Sequence, residues 1–369
     1  MLQQCIKFEL IFEIKIMNEK LISQKKPAFP INDNLYQYLT DYNRNIKIPV
    51  FYDDLLRFAG SIVVYDKNGE DTLWVRVYYS EHERDEIDMS LKRMYAILHG
   101  DGSEESIPFL TVDAIDYCTF GNSKPFRVKI RNILNDNHTY LYVKKADASR
   151  VYGLELEHIL SPNNINFLIY KDTLIEEHVL GIPGDVFLAE DLKHVSVRGK
   201  KRLSKEFVKF NERCMIRLLG DMRAYNYVIV ASYDFDSVDY RIRAMDFDQQ
   251  SFEGNLKVYF PQFFKENYPF VKMVSENLQK ESIEQYKKEE RSAIARRLKG
   301  SQDRVFDLVN CMSKDVISTS EKIHQLKMDL NAYTNDKNFK KCNSMGEILK
   351  VAFDFVVRNY ENVNTYIIH

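Results

Sequence analysis

Asp221 and Asn226 stand five positions apart in the segment LGDMRAYNYVIV, and a second apolar stretch downstream, YRIRAM, ends in Asp246-Phe247-Asp248. Carboxylates and an amide at such spacing suit phosphoryl transfer, whose transition state spreads negative charge over the moving group and needs a positioned hydroxyl and a metal. One carboxylate can accept the proton of the attacking hydroxyl or orient it. The amide and a further carboxylate can hold Mg²⁺, a hard cation that prefers a few oxygen ligands plus phosphate oxygens. The plain alternative is a β-hairpin with polar ends.

The loop Gly220-Asp221-Met222-Arg223-Ala224-Tyr225-Asn226, with Asp246-Phe247-Asp248 at the position of the DFG element, resembles the protein-kinase-like superfamily, closest to its aminoglycoside phosphotransferase and atypical kinase branch. The resemblance covers about residues 119–265. It implies Asp221 as catalytic base or hydroxyl-orienting residue, and Asn226 and Asp246 as metal ligands. Arg223 falls where the superfamily places Lys or His, an auxiliary cation for the transferring phosphate. Asp248 replaces the DFG glycine, as a second metal ligand or as a helix cap.

Upstream, FRVKIRNI (126–133) and TYLYVK (139–144) read as two strands around LNDNH, the hairpin that covers nucleotide phosphates in such folds. No Gly-rich phosphate loop is present, a feature shared with the aminoglycoside branch. The family match assigns Lys144 as the phosphate contact; strand alternation leaves Lys145 open. A helix over 149–160 carries Glu155 on the same face as Val151, Tyr152 and Ile159, as the orienting partner of the lysine, with Glu157 the alternative. The run Glu176-Glu177-His178-Val179 before the bend at 181–184 resembles a kinase hinge, which implies His178 and Val179 beside adenine and Asp185 near the ribose. Phe207, Phe210, Cys214 and Leu218 recur at helical spacing in 203–220, a helix running directly into the Asp221 loop.

The expected fold class is therefore α+β: a bilobal protein-kinase-like fold with an antiparallel N-lobe sheet carrying one helix, a mostly helical C-lobe, and ATP with Mg²⁺ as cofactors between the lobes. Four regions follow: an N-terminal arm (1–45), an accessory ββα region (46–118), the N-lobe and hinge (119–182) and the C-lobe (183–369). In the accessory region an Asn68-Gly69 turn joins two strands. Ile87, Leu91, Met94 and Leu98 share a helix face, and Trp74, the single tryptophan, reads as core. Residues 270–300 read as one charged helix with Glu284 and Lys288 four apart. A last helix opens at Ser344 with Glu347 completing a capping box.

At 369 residues, 45% hydrophobic and 29% charged, the composition is that of an ordinary globular protein, and a net charge of −2 argues against a bulk nucleic-acid binder. Five cysteines without CxxC pairs suggest reduced thiols in a cytoplasmic protein rather than a zinc site. The opening LQQCIKFELIFEIKIM is broken by charges and reads as a strand or an extension; no run approaches a membrane span. The function implied is an ATP- and Mg²⁺-dependent kinase acting on a hydroxyl of a small molecule or a protein Ser/Thr, the activation segment of eukaryotic protein kinases being absent. The alternative is a pseudokinase serving as an interaction module.

Overall fold

Asp66 accepts the backbone N–H groups of Asn68 and Glu70 on its carboxylate, and Gly69 takes φ +81°, a conformation open to glycine without a Cβ penalty. This turn closes the hairpin of β1 (Gly60–Tyr65) and β2 (Asp71–Tyr78). The computed structural model describes residues 21–22, 26–100, 104–121, 123–234 and 237–361, so the strand or extension expected at the N-terminus lies outside them. The chain divides into two compact units: one of Pro30–Ala148 and Asn164–His178, the other of Met1–Phe29, Ser149–Asn163 and Val179–His369.

The first unit is built on a seven-stranded antiparallel sheet in the order β1-β2-β3-β4-β5-β7-β6. Its remaining strands are β3 (Leu110–Cys118), β4 (Phe126–Asn132), β5 (His138–Lys145), β6 (Phe167–Tyr170) and β7 (Thr173–Glu177). The boundary expected at residue 118 therefore falls inside one sheet, because β3 pairs with both β2 and β4. Alternation sends Val128, Ile130, Leu141 and Val143 to one face, where they pack with Ile87, Leu91, Met94 and Leu98 of α3 (Glu81–His99). Trp74, expected in the core, lies on the other side of β2 from Val77: it is half-buried, with the Arg127 guanidinium 4.4 Å from its ring centroid. Two short helices precede the sheet, α1 (Asp33–Asp41) and α2 (Tyr52–Leu55). The first lies within the expected N-terminal arm and is packed: Asn32 caps it by accepting the Leu35 N–H, and Leu35 and Leu39 are fully buried.

The second unit holds α4 (Ala148–Leu160) from Ser149 onward, a three-stranded sheet β10-β9-β8, and six further long helices. Strands β8 (Ile182–Pro183), β9 (Tyr227–Asp234) and β10 (Ser237–Ala244) pair antiparallel. Helix α5 (Val197–Arg217) buries Phe207, Phe210 and Cys214 as its spacing predicts. The single helix expected over 270–300 is two, α6 (Tyr268–Asn277) and α7 (Lys280–Gly300), because Leu278 turns to extended backbone. On α7 Lys287, three positions on, donates to Glu284 at 2.8 Å. Then come α8 (Gln302–Ser313), α9 (Ser320–Thr334) and α10 (Met345–Tyr360). Ser344 accepts the Glu347 N–H as expected, while the Glu347 carboxylate accepts from Asn343.

Candidate functional site

Helix α5 ends where Leu218 turns left-handed, φ +56°, and this directs the next residues along a second segment instead of continuing the helix. Leu219 bridges to Gln250, Gly220 N–H bonds Gln249 C=O at 3.2 Å, and Ser251 N–H bonds Leu218 C=O at 2.8 Å. Asp221 thereby leaves the helix on a fixed rail. Its own φ is +59°, a region non-glycine residues seldom occupy, held here by the Asp221 N–H to Val258 C=O bond and by its carbonyl accepting from Arg223 N–H. The same carbonyl accepts the Asn226 side-chain amide at 2.7 Å.

Asn226 then ties the second motif to the first. Its carbonyl accepts the backbone N–H groups of Met245 and Asp246 at 3.0 and 3.3 Å, so both ends of the β9–β10 hairpin meet at one place. The Asp248 N–H bonds Asp246 Oδ1 at 3.1 Å, and Phe247 between them is buried against α4. Gly153 on α4 permits that approach, since a Cβ there would stand 2.9 Å from the Phe247 Cβ. The tight packing also brings Arg150 of α4 to the motif. Its Nη1 lies 2.8 Å from Asp246 Oδ1 and 2.5 Å from Asp248 Oδ1.

Burial pushes the Asp221 carboxyl up to about 6, with the Asp246 and Glu266 charges adding and the Arg223 contact opposing. Arg223 donates from Nε to Asp221 Oδ1 at 2.7 Å and from Nη1 to Glu266 Oε1 at 3.2 Å. The guanidinium expected as an auxiliary cation thus lies directly on the proposed base. For a divalent ion, Asn226 and the two carboxylates of Asp246 and Asp248 offer hard oxygen donors of the type Mg²⁺ takes. Because the Asn226 amide nitrogen is used on Asp221, its amide oxygen would be the atom left for a metal. Among the described residues no group of three His, Cys, Asp or Glu side chains is placed to hold a metal. A Mg²⁺ here would complete its shell with water and phosphate oxygens.

The other expected residues are distributed as follows. Lys144, on β5 of the sheet unit, is buried and donates to Glu176 Oε2 at 2.8 Å. The register sets Lys144 opposite Leu174 and Tyr142 opposite Glu176, so the ion pair is the diagonal neighbour on one sheet face. Lys145 points the other way and is exposed, with Asp172 and Asp53 at 3.5 and 3.7 Å. Glu155 is fully buried as its helix face predicts, and Arg304 of α8 donates to it from Nε and Nη2, the shortest contact being 2.7 Å. Glu157 receives Arg217. His178 bonds through its backbone N–H to Tyr140 C=O, and its ring lies 3.3 Å from the Tyr142 hydroxyl; burial holds the imidazole below its usual range, helped by the Arg127 charge. Val179 is buried and Asp185 exposed. The chain passes from one unit to the other between His178 and Val179, within the segment expected as the hinge.

Sequence reasoning missed Arg150, Glu176 and Arg304. Arg150 carried one signal, an arginine in the first turn of a helix whose neighbours Val151 and Tyr152 are apolar. Glu176 carried none, since Leu174 and Ile175 before it are both apolar and both buried, and alternation cannot tell its face from that of Glu177. The chain matches no family model and no curated protein.

The two lysines separate in a stability measurement. Lys144→Ala withdraws the 2.8 Å cation from a buried carboxylate and is expected to cost about 3 kcal/mol by chemical denaturation. Lys145→Ala removes only exposed pairs and is expected to cost less than about 1 kcal/mol. The reverse order of losses would show that β5 carries the opposite alternation.

Proposed function

We propose that this chain is an ATP- and Mg²⁺-dependent phosphotransferase that moves the γ-phosphoryl of ATP to a hydroxyl of a small molecule or a protein. The observation that carries the reading is the Asn226 carbonyl tie to Met245 and Asp246, which gathers Asp221, Asn226 and Asp246 from the two sides of one hairpin. In this reading Asp221 accepts the proton of the acceptor hydroxyl or orients it for attack. Asn226 and Asp246 hold the metal, with Asp248 as a further ligand. Bound Mg²⁺ supplies neutralising charge on the phosphates. Arg223 keeps the Asp221 carboxylate in place.

The test is incubation with γ-labelled ATP and Mg²⁺, followed by a search for label in the chain itself, in added proteins and in a metabolite extract. ATP is also expected to raise the melting temperature with Mg²⁺ and much less with EDTA, since Asn226 and Asp246 reach phosphates only through the metal. Equal shifts in both conditions would count against the metal set.

One observation favours a second reading, a nucleotide-binding module with little or no catalysis. Arg150 places a cation on both Asp246 and Asp248, where a metal would otherwise sit. That reading expects nucleotide-induced stabilisation with no labelled product in the wild type, and the same in Arg150→Met.

A further inference from the structure

Residues 193–205 contain Lys193, Arg198, Lys200, Lys201, Arg202 and Lys205 and no Asp or Glu, in a chain whose net charge is −2. They form the turn before α5 and its first two turns. Two of the six are neutralised: Arg202 by Asp239 at 2.8 Å, and Lys205 by Glu289 at 3.8 Å. Lys193, Arg198, Lys200 and Lys201 pair with no acidic side chain among the described residues. Lys193, Arg198 and Lys201 are exposed, and beside them Val197, the first residue of α5, is 81% exposed. At 100° per residue Val197, Arg198 and Lys201 share one face of the helix start.

We propose that this end of α5 docks the protein on an anionic lipid surface. Clustered Lys and Arg are attracted to the negative potential of such a membrane, each contributing about 1 kcal/mol near the surface. An apolar side chain standing among them can enter the headgroup boundary, as on interfacial helices. Nucleic acid fits the patch less well, since the exposed Val197 finds no counterpart on a phosphate backbone. The 21 residues of α5 span about 30 Å, so docking here leaves the Asp221 loop at the far end of the helix clear. The proposal does not depend on the phosphotransferase reading.

The experiment is co-sedimentation of the full chain with phosphatidylcholine vesicles containing about 30 mol % phosphatidylserine, against phosphatidylcholine alone. Binding is expected to the anionic vesicles only and to fall sharply at about 0.3 M salt. The triple variant Arg198→Glu, Lys200→Glu, Lys201→Glu should weaken it on the order of 10²-fold. Val197→Asp should weaken it at constant charge pattern elsewhere. Should the triple variant melt early, Lys201→Glu alone, at an exposed position, is expected to lose several-fold. Equal binding to both vesicle types, no binding by the wild type, undiminished binding by Lys201→Glu, or retention on a single-stranded oligonucleotide in preference to vesicles would each overturn the proposal.

Discussion

Asp221→Asn is expected to keep ATP·Mg²⁺ affinity within a few-fold while losing phosphoryl transfer by a factor on the order of 10² or more, the scale of a positioned base. The asymmetry follows from what the carboxylate meets. An acceptor hydroxyl is engaged mainly in the transition state, so the loss falls on kcat rather than on nucleotide binding. The pH profile of the wild type should carry an acid limb near the Asp221 value of about 6, above the ordinary 3.8, and the limb should vanish in the variant. Stability moves the opposite way. Because burial raises the folded pKa above the unfolded one, the folded state holds the proton longer, and ionisation destabilises it as pH rises from about 4 to about 6. Asp221→Asn should therefore melt with the wild type at pH 4 and above it at pH 8. A site that trades stability for a buried charge is the pattern expected where a group is retained for chemistry. Near-normal transfer by Asp221→Asn would move the assignment to the module without catalysis.

Arg217→Met is expected to cost about 3–5 kcal/mol, because it strands the Glu157 carboxylate, both side chains being 2% exposed. In melting temperature that is a fall on the order of 10 °C for a unit of this size. Arg217 also donates from Nε to Arg213 C=O, and its own carbonyl accepts from Gln250, so the substitution loosens the rail that carries Asp221. The double variant Arg217→Met, Glu157→Leu should recover much of the loss, since replacing a whole buried pair by apolar groups leaves no charge unpaired. Failure of the double variant to recover would locate the cost in packing rather than in the stranded charge.

What was legible in the sequence was what is local. Ile87, Leu91, Met94 and Leu98 announced a helix face and Asn68-Gly69 announced a turn, while the hydrogen bonds from Met245 and Asp246 N–H to the Asn226 carbonyl join two segments that the sequence shows only as separate motifs. Helix α1 was hidden because Leu35, Tyr38 and Leu39 give it only three buried residues inside an Asn-rich stretch. The break between α6 and α7 was hidden because neither Gly nor Pro marks Leu278. Glu155 was read as inward, and it is. Its partner Arg304 lies 149 positions away, and no periodicity reports a pairing over that separation.

Helix α4 leaves the ribosome long before the residues that bury it. The strands of the sheet unit are complete once His178 is made, and their pairings are mostly between neighbours in sequence. Within the other unit, by contrast, Glu157 waits for Arg217, Glu155 for Arg304, and Tyr152 for Cys311 and Asp315. Ordering of that unit is tied to contacts of long sequence separation, which form slowly. During synthesis the apolar face of α4 stays uncovered until the later helices of its own unit are made, and exposed apolar surface of that kind is what chaperones hold. Neither unit is one uninterrupted stretch of sequence, so cutting the chain at a single point cannot deliver either of them whole.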